Sequence, residues 1–368
     1  MEKSPAFLKI LDKLEKDYPG RMRQATGVPD TRRARLGIFD IDRLLGGGLP
    51  INKISLLYGN ASTFKTTISL RTMWNFIQRC GKCLFPHSKC TCETPDDNTV
   101  IALIDIDEGY EEQYLINLDI DPKRVYVYKP QHGEAACEVA REFAQIPEVR
   151  GVIVDTLDNM VSLNDLEKGF LDSLARAERA KLINRMMRSL IPSLESNIPR
   201  LSIMLNHPFP LVNGRPGHWL PGGEAQTNIA HVTIHLWAQG KSKSVVKIED
   251  ELSGEIPARK REIGFHLKKS RISADNITGE FSLFTEEIPE QNIRYGDADD
   301  FQSVTNWAAK LGLISMSGKK YAINGTDLGP QQVVKYWKLH KQEYLDLQEQ
   351  IFATLKVGGV ATGVGNEE

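Results

Sequence analysis

Apolar runs of strand length alternate with helical segments along the 368 residues. That alternation predicts an α/β fold, a mostly parallel sheet with helices on both faces. Three observations carry the expectation. "ISLLY", "TVIALIDID", "VRGVIVD" and "RLSIMLNH" are continuous apolar runs that end in polar or acidic residues, as strands covered on both faces do. "TTISLRTMWNFIQRC", "EVAREFAQI" and "LARAERAKLINRMMRSLIPSLE" lie between them with apolar residues at helical spacing. A loop opened by a glycine joins the first of these strands to the first of these helices.

The elements follow in order. "MEKSPAFLKILDKLEKDYPG" places Phe7, Leu8, Leu11 and Leu14 at helical spacing, an amphipathic helix without the apolar core of a secretory signal. Residues 1–35 are read as this helix and a linker. A short helix over 41–45, a glycine cluster and a turn at Pro50 lead into the strand 54–58. The core is expected over 36–294, with "HVTIHLWA" and "REIGFHLKKSRI" as further strands and the polar stretch 241–260 as an exposed hairpin or loop. A small C-terminal α(+β) domain spans 295–355, read as helices around a short turn, and 356–368 is expected to be a flexible tail. No run approaches the ~20 apolar residues of a membrane span. Hydrophobic residues are 41% and charged residues 26%, as in a soluble globular protein, and a net charge of −2 leaves nucleic-acid binding to local patches.

Four of the five cysteines crowd into "CGKCLFPHSKCTC". Cys80, Cys83, Cys90 and Cys92 have the number and closeness to hold one tetrahedral zinc ion, an inserted zinc knuckle. Disulfide pairing is the alternative, and His87 could replace one thiolate. Cys137, alone in a helical pattern, is read as core.

"YGNASTFKTT" is a strand-to-helix loop that nearly matches G-x-x-x-x-G-K-[ST]. Gly59, Asn60, Ala61, Ser62, Thr63, Phe64, Lys65, Thr66 and Thr67 would wrap phosphates. Backbone N–H groups and Lys65 would take the charge, and the Thr66 hydroxyl a magnesium ion. Phe64 occupies the second glycine's place. Asp155 ends "GVIVD" as a magnesium-orienting acid, and Asp105, Asp107 and Glu108 end another strand, where a carboxylate could polarise water.

Together these segments resemble the RecA family of recombinases over about residues 36–337. "LGGGLPINKISLLYGNASTFKTT" is similar to its glycine-rich lead-in and phosphate loop, "LIDIDEGYEEQY" to its catalytic-carboxylate and adenine segment, and "VIVDTLDN" to its Walker B strand. The resemblance implies a catalytic role for Asp107, with Glu108 one residue off, and adenine contacts for Glu111, Tyr114 and Tyr295. It implies a γ-phosphate sensor at His207, and trans-acting cations at Lys269 and Arg271 in "KKSR" that reach a neighbouring subunit's nucleotide. Phenylalanine before the loop lysine, the Asn206–His207 pair and the K-S-R run resemble most the phage UvsX-type branch, which hydrolyses ATP.

In that family two loops, here 162–172 and 208–221, grip DNA. The second has its own physical reading: glycines for flexibility, Arg215 for phosphate, and Phe209, His218 and Trp219 for stacking on bases. Lys168 in the first loop and Arg185 on the basic helix, with Arg188, are further DNA candidates. The implied protein is a DNA-dependent ATPase using ATP, Mg2+ and a structural Zn2+. It would form helical filaments on single-stranded DNA, pair them with double-stranded DNA and exchange strands, in the cytoplasm (of a bacterial host if phage-encoded). A single-strand binding protein and a loading mediator are the partners such a protein would meet. A non-hydrolysing mediator and a ring-forming ATPase of the same fold are the alternatives.

Overall fold

The structure, a computed structural model, describes residues 4–17, 32–80, 90–92, 98–168, 175–194, 198–211, 218–239 and 260–355. The chain divides into two compact units, Met1–Thr31 and Arg32–Glu368. The first contains helix α1 (Pro5–Asp17), none of whose residues is buried. Phe7, Leu8 and Ile10 stand exposed on it.

The second unit is built on an eight-stranded sheet. Its strands are β1 (Ile54–Gly59), β2 (Val100–Asp105), β3 (Val125–Tyr128), β4 (Val149–Asp155), β5 (Leu201–Asn206), β6 (Val232–Ala238), β7 (Lys260–Ser270) and β8 (Ile277–Phe284), in spatial order β8-β7-β6-β1-β5-β4-β2-β3. The six strands from β6 to β3 run parallel, and β7 and β8 add an antiparallel edge. β1 lies between β5 and β6, with Tyr58 opposite Asn206 on one side and His235 on the other. The expected strands are present. β3 and β8 were not legible as strands. β3 is four residues long with Val125 alone fully buried, and β8 alternates polar and apolar residues on an edge.

Neighbouring strand residues point to opposite faces, and each face has its own core. Leu57, Leu103, Ile153 and Ile203 pack with Ile68, Met73 and Phe76 of α3 (Lys65–Ile77). Leu56, Ile104, Val154 and Met204 pack with Ala136 and Ala140 of α5 (Gly133–Phe143) and with Ile183, Met186 and Leu190 of α7 (Ala175–Leu194). The helices therefore cover both faces, as expected. The remaining helices of this part are α2 (Phe39–Leu44), α4 (Glu112–Asn117), α6 (Leu163–Lys168) and α8 (Ala225–Ile229). α2 begins two residues earlier than the sequence suggests, and α6 occupies much of the stretch read as loop 162–172.

The C-terminal segment contains α9 (Phe301–Lys310), α10 (Pro330–Leu339) and α11 (Lys341–Thr354). The turn expected between its helices is a three-stranded antiparallel sheet, Ser315–Ser317, Lys320–Ile323 and Thr326–Leu328. Val304, Trp337, Tyr344 and Phe352 form its core, which takes in Phe39 of α2 and Phe284 of β8. Arg35 donates two hydrogen bonds to Glu349, at 2.7 and 2.9 Å, and fastens α11 to the sheet body. Among the described residues no helix is long and apolar enough to cross a membrane. Most of the polar stretch 241–260 and all of the tail 356–368 lie outside the described residues.

Candidate functional site

β1 ends at Gly59, where the chain turns over the carboxyl ends of the parallel strands, the usual location of ligands in such sheets. A Cβ at Gly59 would lie 2.2 Å from the Leu236 carbonyl oxygen, so only glycine fits. The loop closes at Phe64, which has φ 62° and ψ 20° directly before α3. That left-handed backbone costs a β-carbon residue about 1–2 kcal/mol. Phe64 is only 9% exposed and belongs to the α3-side core. Burying a phenylalanine contributes roughly 1.5–3 kcal/mol, enough to offset the strain.

Lys65 is 5% exposed, and its Nζ donates to the carbonyls of Gly59 (2.7 Å) and Asn60 (2.9 Å). Burial pulls its pKa down to about 8, against the attraction of Asp155, Asp158 and Asp107. A buried cation held by carbonyl groups at a helix start is a fit for phosphate. Thr66 Oγ1 donates to Asp155 Oδ2 at 2.7 Å. Burial pushes the Asp155 carboxyl up to about 6, with the Thr66 hydrogen bond opposing it and nearby Asp107 adding to it. A hydroxyl and a desolvated carboxylate in contact are a hard-oxygen donor set suited to magnesium.

A cleft of about 390 Å³ opens over the loop. Its walls are Ala61, Ser62, Thr63, Phe64, Lys65, Thr66 and Thr67, together with Asp107, Tyr114, Asp155, His207, Arg261 and Tyr295. Asp107 is fixed by hydrogen bonds from Thr156 Oγ1 (2.9 Å) and from the Asn159 side chain. Glu108 and Glu111 are exposed and are not among the wall residues, so of the two candidate acids Asp107 faces the cleft. Asp105 is buried instead and accepts from the Tyr110 N–H. Tyr114 shares a hydrogen bond with Thr67 (2.5 Å), and burial raises its phenol pKa to about 12. The Tyr295 carbonyl accepts from Arg71 (2.5 Å), which sets the Tyr295 ring 5.9 Å from that of Phe64.

One wall residue, Arg261, and one residue behind the wall, Asp158, were not read from the sequence. Arg261 donates to the Ser62 carbonyl at 2.9 Å and lies 5.7 Å from the centre of the Phe64 ring. It sits at the start of β7, next to a polar stretch where no spacing singles out one cation. Asp158 lies one turn beyond Asp155 and pairs with His207 Nδ1 at 3.1 Å. Burial alone would raise its pKa, but hydrogen bonds from His207 and Thr156 hold it below the ordinary value.

His207 directly precedes the second expected loop, 208–221. Phe209–Pro210 pairs with His218–Trp219 as a short hairpin, the Phe209 and Trp219 rings 5.7 Å apart. Phe209 is 42% exposed. Trp219 is partly exposed against it and outside the core clusters. Asn206 anchors the base, donating to Pro221 O (3.1 Å) and to Gln226 Oε1 (2.7 Å). Arg185 and Arg188 are exposed on α7. Arg215 lies outside the described residues, as does the Lys168 side chain.

Lys269 and Arg271 do not enter this cleft. Lys269 pairs in register with Thr233, at the beginning of β6 and away from the loop. Its Nζ donates to the carbonyls of Thr227, Asn228 and Ala230 at 2.6–2.8 Å, and Arg271 donates to Asn228 O at 2.7 Å. The Sγ atoms of Cys80, Cys90 and Cys92 lie within 4.8 Å of one another, while Cys83 and His87 are outside the described residues. Cys137 is buried in the core as expected, and burial raises its thiol pKa to about 11.

A glycine-started loop, a buried lysine, and a threonine against a strand-end acid on a parallel sheet have the build of a phosphate-loop site. Residues 87–253 match the family model described as the RecA N-terminal domain. The chain is similar to the protein RecA of Cytophaga hutchinsonii, 24% identical over 336 residues, 89% of this chain and 83% of that one. It is 20% identical to the protein RecA of Nostoc sp. over 370 residues, 98% of this chain and 92% of the relative. The protein RecA of Aquifex pyrophilus is 23% identical over 321 residues, 86% and 81% of the two chains. These matches support the RecA-family resemblance; the phage-branch reading rests on the residues alone.

Proposed function

We propose that this protein is an ATP-dependent DNA recombinase of the UvsX-type phage branch. It binds ATP in the cleft over residues 59–67, forms a helical filament on single-stranded DNA and pairs that strand with homologous duplex. One observation carries the reading: the buried Lys65 and the Thr66–Asp155 pair share a cleft with His207, and the aromatic hairpin begins two residues further on, at Phe209. Residues suited to phosphate and residues suited to bases are thus neighbours along the chain after β5.

Lys65 and the first N–H groups of α3 take the phosphate charge. Magnesium, held by Thr66 and Asp155, would neutralise charge on the phosphate oxygens. Asp107, fixed by Thr156 and Asn159, accepts a proton from the attacking water. Tyr114 and Tyr295 flank the base, with Glu111 near it. His207 senses the terminal phosphate, and its partner Asp158 holds the imidazole in place. Phe209, His218 and Trp219 stack on bases while Arg215, Arg185 and Lys168 meet phosphates. Helix α1 docks on a neighbouring protomer. The setting is the cytoplasm of a bacterial host, where a single-strand binding protein and a loading mediator would attend the filament.

The test is ATP turnover with and without single-stranded DNA, with electron microscopy of the same mixtures. Stimulated turnover and filaments are expected. Nucleotide binding without turnover would point to a mediator, and closed rings to the other alternative.

A further inference from the structure

The cysteine cluster is the feature that nucleotide and DNA binding leave unused. Cys80 follows α3 by three residues, and Cys90 and Cys92 precede β2. The three Sγ atoms, one just after α3 and two ahead of β2, lie within 4.8 Å of one another. Cys80 is fully buried, and the other two are partly exposed. Three converging thiols from two ends of one excursion match the donor type and closeness that zinc takes.

We infer that Cys80, Cys90 and Cys92 bind one zinc ion as thiolates. Binding releases the thiol protons to solvent and changes no oxidation state.

The location assigns the role. The metal sits past the C-terminal end of α3, and the phosphate loop is at its N-terminal end, about 20 Å away for a helix of this length. The site therefore cannot touch the reacting phosphates. What it can do is hold the α3–β2 crossover closed. That crossover already has a polar clasp: Thr99 Oγ1 donates to Ile77 O at 2.9 Å, and Arg124 donates to Thr99 O (2.9 Å) and Ile77 O (3.1 Å). The clasp ties the last residue of α3 to the residue before β2. Zinc would add a second tie between the end of α3 and the approach to β2, and its binding energy would add to the folding energy there.

Metal content is the direct readout, and it is independent of ATPase activity. Full-length protein purified under reducing conditions without chelator should contain about one zinc per chain. Its replacement by Co2+ should give an intense thiolate-to-cobalt charge-transfer band. Cys92→Ser, at a partly exposed position, should lose most of the metal and become cleavable by protease between residues 80 and 98 while the remaining chain stays folded. Wild-type protein purified in this way that contains no zinc, with the partly exposed Cys90 and Cys92 open to alkylation, would overturn the inference. So would a Cys92→Ser protein that keeps full metal content. A zinc-loaded protein that fails to hydrolyse ATP would leave this inference standing and remove only the functional reading.

Discussion

Phe64 shows how one side chain can replace a glycine without closing the loop. The left-handed turn is kept at φ 62°, and the ring is drawn into the core between Tyr295 and Arg261. Phe64→Gly removes the backbone strain but also the buried ring, a loss that costs ~3 kcal/mol or more for phenylalanine in a core. The variant should unfold more easily yet bind ADP within a factor of about three of wild type, since the loop N–H groups and Lys65 remain. Arg261→Ala makes the opposite trade. It leaves the fold intact but removes a cation from the cleft wall, and ADP affinity should fall roughly five- to tenfold. Calorimetry and thermal melts on both variants separate the two effects, and unchanged affinity in Arg261→Ala would remove that residue from the site. Lys65 sets a pH dependence whose sign follows from its burial. Free Lys65 titrates at about 8, and phosphate raises that value by favouring the charged form. Binding above pH 8 must then take up a proton, so affinity falls as pH rises through that range. At the acid end, burial puts the metal-free Asp155 carboxyl at about 6, so below that pH magnesium must displace its proton and binds less tightly. Turnover should be bell-shaped between these limits, and Lys65→Ala should abolish it. A flat profile from pH 6 to 9 would contradict the assignment of both groups.

At the level of elements, what the sequence disclosed was what burial on both faces imposes. β1, β2, β4 and β5 are apolar runs because helices cover each side, and the acids that end β2 and β4, Asp105 and Asp155, stand out because the runs stop there. β3 and β8 escaped because edge strands need not be apolar throughout. The phosphate loop and Asp155 were legible from spacing. Arg261 was not, because antiparallel pairing of β7 with β6, a long-range event, brings it beside Ser62. Asp158 was missed because its role depends on His207, 49 residues away, being delivered to it by β5. The aromatic residues following β5 were visible in the stretch read as a flexible loop, but the hairpin that pairs Phe209 with Trp219 emerges only in three dimensions. That pairing predicts that Trp219→Ala disturbs two rings at once. Single-strand affinity should drop by about 1–3 kcal/mol, while ATP binding without DNA stays unchanged. Arg215→Ala should instead reduce the salt slope by about one unit. Fluorescence anisotropy at several salt concentrations distinguishes them, and wild-type affinity in the double variant would exclude the hairpin from the DNA surface.

In the whole molecule, the nucleotide cleft and the Lys269–Arg271 pair lie toward opposite ends of the sheet. β7 spans the distance, with Arg261 at the cleft and Lys269 beside the start of β6. No motion confined to the sheet brings Lys269 to this chain's own phosphates. If the pair acts on nucleotide, it does so on that of another copy, through two different surfaces meeting head to tail. Repeated without closure, such a contact builds an open helical filament. The pair is already poised, because Lys269 and Arg271 are held by the carbonyls of residues 227–230. The Lys269→Ala, Arg271→Ala variant should bind nucleotide normally and lose DNA-stimulated turnover. Lys65→Ala should lose turnover for the reciprocal reason, a broken loop beside intact cations. Mixed in equal amounts, the two inactive proteins would form some interfaces with an intact loop on one side and intact cations on the other. Random assembly makes that roughly a quarter of all interfaces, so turnover should reappear at about that fraction of the wild-type rate. Co-filaments seen by microscopy with no recovered turnover would rule out action across the interface.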